Sequence, residues 1–490
     1  MKKLFNSLRN QLRKYDQLSF LTGIYFLSNH LEWKTPLPAY LQAADPFNHG
    51  NPLKLGFWHW ELDTLAREAI LHCPGYGGKH PTWPDFAKII NLLKWTENEA
   101  FASGEFDVFS EMTRIAHRQF HWQQGVGHAD ITRYRRIYRQ PGMNELMVTE
   151  FGVTSEQYFL ASFALLATFM KHFAFTPNYV ANIEETLGIR VAPLVSRFTT
   201  TVAELRERTL ATRRLDIDWA YTFHPMWAHP LIKIDDGRTI CPIPGLLARR
   251  VTEGLYFDFA KNPDNLSRDL GPAFQSYIGD ALRAANHGKF TLLSEAEFGS
   301  ASAPKRSVDW IVEDESATLF IECKVLRLAH AGRSELAPTT ATEREFAKLA
   351  KAIGQLYASL SIALAGGYPH WRPGEKPVFA MIVTMDNWNL FTDSALRTLR
   401  EMVSAELAKR GVGPAILHTH PFTVCVAREI EIGIQVMHEV SIAQVMAGIT
   451  GEKLGYQFHS YLQEGFKENV ARTGALFPDE PSDLVAQLRQ

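Results

Sequence analysis

Asp309 and the triplet Glu322-Cys323-Lys324 are the residues of this 490-residue chain whose types and spacing best fit chemistry. They lie in the stretch 308–326, VDWIVEDESATLFIECKVL, which reads as two short strands joined by an acidic turn. Two acids and one base on a single patch form a local charge balance that a metal ion completes. In the second strand Leu319, Ile321, Cys323 and Val325 alternate with Phe320, Glu322 and Lys324. Side chains change face with a period of two, so Glu322 and Lys324 share one face. Charges in an otherwise apolar strand carry a desolvation cost that proteins accept mainly at functional sites. The competing reading is an ordinary Glu–Lys pair on a sheet surface.

The pattern of Asp309, 12 intervening residues and then Glu322-Cys323-Lys324 resembles the D…(D/E)-x-K core of the PD-(D/E)xK nuclease superfamily, the fold of many restriction endonucleases. The resemblance spans about residues 270–430, and Val308 stands where the strict motif has proline. It implies Mg²⁺ or Mn²⁺ held by Asp309, Glu322 and the Cys323 backbone carbonyl, with Lys324 orienting the attacking water. Some members add a glutamate from the preceding helix. Gln275 occupies that place here, and Glu295 or Glu297 is the substitute ligand expected from the first strand. Gln355, with Lys348 and Lys351 on the same helical face, stands where related nucleases direct a Gln or Lys at the site. A solvent-facing polar stripe is the alternative for these three.

The elements that must position these residues read as an α/β unit. A helix over 272–285 has proline in its first turn, the favoured place. Strands follow over 289–298, 306–313 and 317–326, then a long amphipathic helix over 342–364. The run 377–385 is almost continuously apolar, as expected of a strand covered on both faces. A helix over 392–410 and a strand over 422–426 complete the set. The expected fold class is α/β: a restriction-endonuclease-like core, with a mixed central sheet flanked by helices, follows a mainly α-helical N-terminal domain. The expected divisions are a recognition or partner domain over 1–260 ending in a small β-hairpin, the nuclease-like domain over 261–435, and a helical extension and tail over 436–490.

The remaining stretches each admit a plainer role. Arg133, Arg135, Arg136 and Arg139 stand among tyrosines in DITRYRRIYRQ, a pattern suited to a nucleic-acid backbone, with a solvated helix face as the plainer reading. His117 and His121, four apart, read as packing residues more than as metal ligands, with no HExxH glutamate beside them. Residues 72–85 contain Gly-Gly-Lys without the rest of a phosphate-binding loop and read as a connection. A hairpin is expected around Asp235-Asp236-Gly237.

Composition sets outer bounds. Lys plus Arg (51) nearly balances Asp plus Glu (53), which argues against a non-specific polycation that coats nucleic acid. The 4 cysteines are widely spaced with no CxxC pair, so neither a disulfide framework nor a zinc ribbon is expected. The N-terminus reads as an amphipathic helix, and the longest apolar run, 158–169, is too short to cross a bilayer. The expectation is a cytoplasmic, Mg-dependent DNA endonuclease of a restriction or anti-phage defence type, without a membrane partner and acting as a homodimer or with a partner protein. The alternative is a nuclease-fold module that binds nucleic acid or assembles without efficient cutting.

Overall fold

The computed structural model describes residues 2–42, 56–102, 108–216, 218–327, 340–390, 393–451, 453 and 456–480. Its centre of organisation is a five-stranded mixed sheet in the C-terminal half. We label its strands β1 (Thr291–Ser294), β2 (Trp310–Glu313), β3 (Thr318–Lys324), β4 (Val378–Thr384) and β5 (Phe422–Val426). The spatial order is β5-β4-β3-β2-β1. β1, β2 and β3 form an antiparallel meander, while β3, β4 and β5 run parallel. Helices α1 (Gly271–Asn286), α2 (Thr340–Leu364), α3 (Asp393–Lys409) and α4 (Ala427–Glu439) cover the sheet. A parallel pair needs a long crossover, and α2 and α3 supply those joining β3 to β4 and β4 to β5.

Period-two alternation sorts the strands into two buried faces. Trp310, Val312, Leu319, Ile321, Met381 and Val383 pack with residues of α1 and α4. Ile311, Phe320, Ala380 and Ile382 pack with Leu349, Ile353, Leu356 and Leu360 of α2 and Leu399 and Val403 of α3. β4 is buried along its whole length, as its apolar run requires when both faces are covered. The expected strand 289–298 instead breaks after Ser294. Glu297–Ser300 pairs with Ala303–Arg306 in a separate hairpin, so β2 starts at Trp310 and not at Arg306.

The N-terminal region is mainly helical, including the expected amphipathic helix at Lys2–Leu12, which buries Leu8 and Leu12. The expected hairpin forms between Leu231–Lys233 and Thr239–Ile240, with Gly237 at φ 85° in its turn, and it belongs to a small four-stranded sheet. The Gly-Gly-Lys stretch docks on residues 14–16: the Lys79 N–H donates to Lys14 O (2.8 Å) and Lys79 O accepts from Asp16 N–H (3.0 Å). A Cβ at Gly78 would lie 2.1 Å from the Asp16 nitrogen, so the glycine is needed for this approach. The stretch around 255–268 contains helical turns at Tyr256–Phe259, Pro263–Asn265 and Leu266–Leu270. The apolar cluster on the α1 side of the sheet runs from Tyr134 through Phe259 and Trp310 to Leu462, joining N-terminal helices to the sheet without a gap.

Candidate active site

The β2–β3 ladder pairs Trp310 with Ile321. Continuing its register by one residue puts Asp309 opposite Glu322, where cross-strand side chains lie on the same face and close together. Two local contacts fix the arrangement. The Cys323 N–H donates to Asp309 Oδ2 (2.6 Å), and the Asp309 backbone N–H donates to the Glu322 carboxylate. Lys324, two residues beyond Glu322, brings Nζ to 2.7 Å from Glu322 Oε1. All three face the side of the sheet that α2 covers, because Phe320 and Ile311 on the same alternation pack against α2.

Neighbouring elements hold this end of β2 in place. Trp310 inserts against α1, where its Nε1–H donates to Gln275 O (3.0 Å). A Cβ on Gly279 would lie 2.0 Å from that indole, so a glycine at this point of α1 lets the strand approach. On the other face, the Val308 N–H donates to Tyr368 Oη (3.1 Å), and Ser359 of α2 hydrogen-bonds the same phenol. Asp314 organises the acidic turn: Oδ1 accepts from the N–H groups of Ser316 (2.8 Å) and Ala317 (2.9 Å), and Oδ2 accepts from Ile442 N–H (2.9 Å).

The electrostatics set this pair apart from an exposed Glu–Lys couple. Asp309 and Glu322 are 8% and 9% exposed. Burial, reinforced by the Glu322 charge, pushes the Asp309 carboxyl up to about 8. Burial also raises Glu322, although Lys324 draws it back down. Burial disfavours the charged Lys324, yet the Glu322 carboxylate holds its ammonium above the ordinary value. The site therefore carries two closely placed acids against one base.

The other residues singled out in the sequence divide sharply. Glu295 continues the row: its backbone N–H donates to Asp309 O (2.9 Å), and its charge raises both site carboxyls. Glu297 lies on the outer hairpin, exposed and bonded to Arg306 (3.1 Å). Of the two, Glu295 is the one the fold brings to the site. Gln355 is half-buried on α2, one turn before Ser359, and makes no hydrogen bond to the carboxylates. Lys348 bonds Glu345 (2.8 Å), and Lys351 is exposed near Glu406. Among the described residues, no group of three or more His, Cys, Asp or Glu side chains gathers to hold a metal ion.

The four arginines are placed elsewhere. They lie on the helix His128–Tyr138 or at its C-terminal end, and Arg133 and Arg135 are buried. Arg133 forms a fork with Glu431 (2.5 and 2.8 Å) and also bonds Asp130 (2.7 Å). Arg135 bonds Glu156 (2.6 Å), Arg136 bonds Glu480 (2.7 Å) and Asp280 (3.2 Å), and Arg139 bonds Glu480 (3.1 Å). In this structure they clamp helices together rather than offering a phosphate-facing row. Sequence reading did not identify the cluster of Arg249, Arg250, Arg327 and His224, which lines a cavity in the helical region. The one local signal was the His- and aromatic-rich texture of residues 221–247.

No family model, curated protein or solved structure matches this chain. Among the described residues, no helix is long and apolar enough to cross a membrane.

Proposed function

We propose that the chain is a divalent-cation-dependent nuclease that cleaves DNA at the Asp309–Glu322–Lys324 site. The observation that carries this reading is the pair of buried carboxyls on adjacent strands, both pushed up, with Lys324 Nζ 2.7 Å from one of them. Like-charged buried groups of this kind are costly in isolation and are relieved by a cation. The donor set suits a hard ion. Mg²⁺ is commonly bound through one or two carboxylates together with substrate phosphate oxygens, so a cage of three protein side chains is not required. Asp309 and Glu322 would hold it, with the Cys323 carbonyl and Glu295 as further oxygen donors. When bound, such an ion supplies Lewis-acid polarisation of the phosphate and a more acidic water.

The chain's own residues then have distinct tasks. The Cys323 N–H fixes one Asp309 oxygen and leaves the other to the site. Lys324, kept charged by Glu322, neutralises charge that builds on the phosphoryl oxygens and orients the water. α2 closes the face above the carboxylates. The order helix, three sheet strands with a hairpin inserted after the first, helix, strand, with Asp just before the second sheet strand and Glu-x-Lys on the third, supports a restriction-endonuclease-like core. A role in restriction or anti-phage defence, in the cytoplasm and as a dimer or with a partner protein, belongs to the same proposal and rests on the resemblance alone.

The test is cleavage of plasmid and single-stranded DNA with Mg²⁺ or Mn²⁺ by the native chain, Asp309→Ala and Lys324→Ala. Each variant is expected to lose about 10²–10³-fold or more in rate, the scale for removing one transition-state charge stabiliser. Equal cutting by all three overturns the assignment. DNA binding with no cutting by the native chain favours the alternative of a binding module.

A further inference from the structure

A cavity of about 500 Å³ lies in the helical region and is lined by none of the motif residues Asp309, Glu322 and Lys324. Its size is within the ~300–1,000 Å³ typical of small-molecule sites. Eight arginine and lysine side chains line it, against three carboxylates. Several of these cations have acidic partners just behind the wall: Arg67 with Glu68, Arg114 with Asp218, and Arg118 with Glu97. The wall built by Arg249, Arg250 and Arg327 is different. These three are 5%, 7% and 8% exposed. Arg249 (3.2 Å) and Arg327 (3.8 Å) share Glu253, while Arg250 (2.7 Å), Arg197 (2.9 Å) and Lys261 (3.7 Å) share Asp258. Arg197 also reaches Glu150 (3.3 Å), and Asp386 stands 3.9 Å from Arg327.

These carboxylates do not satisfy the guanidinium groups. Arg249 Nε, Arg250 Nη1 and Arg327 Nε are buried and find no hydrogen-bond acceptor among the described residues. Nε2 of His224, whose Nδ1 is fixed by Asp63 at 2.7 Å, is likewise buried without a hydrogen-bond partner among the described residues. Buried donors without acceptors are costly, and native proteins rarely keep several together without a use. An anion in the cavity would supply the missing acceptors. Trp60, Trp122, Tyr221, Phe223, Trp227 and Phe257 also line it. Trp122 and Trp227 meet at 5.6 Å, Arg249 lies 4.9 Å over Trp122, and Arg114 lies 3.8 Å over Tyr221. Phe257, 54% exposed, and the exposed Lys261 stand at the solvent side.

We propose that this cavity binds a free nucleotide, with its phosphate on Arg249, Arg250 and Arg327 and its base against Tyr221 and Trp227. Guanidinium forks match phosphate oxygens, and aromatic faces match a base. A simple inorganic anion would leave the aromatic wall unused, and an apolar ligand would leave the arginine N–H groups unpaired. Arg327 is three residues beyond Lys324, so a ligand on it touches the chain that leaves the motif strand. The binding proposal does not depend on the nuclease reading.

The test is calorimetric titration of the full chain with the four ribonucleoside mono- and triphosphates, their nucleosides, inorganic pyrophosphate and a short DNA strand. At least one nucleotide is expected to bind with a Kd below about 100 µM. Its nucleoside and pyrophosphate should bind at least tenfold more weakly. Lys261→Ala and Phe257→Ala, both at the exposed mouth and without a role in the core, should weaken it several-fold. Azido-ATP should label peptides covering 219–229 or 249–261. The proposal is overturned if every nucleotide has a Kd above about 1 mM, if the nucleoside binds as tightly, if labelling falls only elsewhere, or if the DNA strand displaces the nucleotide with higher affinity.

Discussion

The arginine helix and the motif strands both bury charge, and they treat it in opposite ways. On His128–Tyr138 the buried guanidiniums meet carboxylates at 2.5–2.8 Å: Arg133 has Glu431 and Asp130, and Arg135 has Glu156. At the start of β2 and on β3, Asp309 and Glu322 face each other and, among the described residues, share Lys324, and both carboxyls are pushed up. Completed pairing is what a structural clamp needs. A deficit of positive charge, maintained at an energetic cost in a well-packed sheet, points to a cation or a substrate that completes it. Arginine content suits the first region to a phosphate backbone, but its pairing leaves few of those guanidinium groups to offer one.

The largest effect that tests this contrast is expected at the clamp. Arg133→Ala leaves Glu431 buried beside the Tyr277 hydroxyl without its guanidinium partner. Breaking a buried pair in this way costs about 3–5 kcal/mol. Denaturant unfolding should show that loss, while the fraction still folded should bind DNA as the native chain does. A DNA-binding defect without loss of stability would return these arginines to a nucleic-acid role. Arg133→Met combined with Glu431→Leu should recover part of the stability, because the unpaired Glu431 charge is then gone while Asp130 keeps the Gly127 N–H and the nearby Arg428.

The site carboxyls should respond with the opposite sign. An unfolded aspartate titrates near ~3.9, and the folded Asp309 is raised to about 8. Below about pH 4 the group is protonated in both states and carries no penalty. Between pH 4 and 8 the folded protein keeps a proton that the unfolded chain has released, so its contribution to stability falls as pH rises and is lost above pH 8. Asp309→Asn removes that dependence. Without added metal at pH 8 the variant should melt roughly 2–4 °C above the native chain, the shift that ~1 kcal/mol gives in a domain of 150–250 residues. The gap should close towards pH 4, and Mg²⁺ should raise the melting temperature of the native chain only. Since Glu322, Lys324 and Glu295 act on the same carboxyl, the informative quantity is the difference between the two proteins at each pH. A variant less stable than the native chain at pH 8 would mean that Asp309 is a structural acceptor for the Cys323 N–H and little more.

How far the sequence revealed all this differs from element to element. β5 is bounded by Phe422 and Val426 as its apolar run indicates, and β4 matches 377–385 to within a residue at each end, because continuous apolarity marks a strand covered on both sides. The relation of Asp309 to Glu322 was legible because alternation and a short turn leave the pair little freedom. The pairing of the arginines was not, because Glu431 and Glu480 lie about 300 residues or more away in the chain. The cavity was hidden for the same reason, since its walls come from segments between Trp60 and Arg327. The mixed α/β architecture was readable from periodicity, whereas the outer hairpin was not: no glycine or proline lies between Ser294 and Glu297 to announce the break.

That break gives the smallest prediction and the finest one. Read as one strand, 289–298 places Glu295 and Glu297 on the same face, as equal candidates beside the site. The structure separates them. The Glu295 N–H remains bonded to Asp309 O, continuing the β1–β2 register, while Glu297 begins a different ladder with Arg306. Glu295 is therefore a third carboxylate beside two acids that are already raised, with Arg306 3.8 Å away, and Glu297 is an exposed partner of the same arginine. Under the proposed reaction, Glu295→Gln should change the cleavage rate about three- to tenfold and shift the optimal Mg²⁺ concentration, because it alters the charge that holds the cation. Glu297→Gln should leave both unchanged, since exposed ion pairs contribute ~0–1 kcal/mol. Equal effects from the two would show that in solution the strand runs on past Ser294, and that the row of three carboxylates must be redrawn.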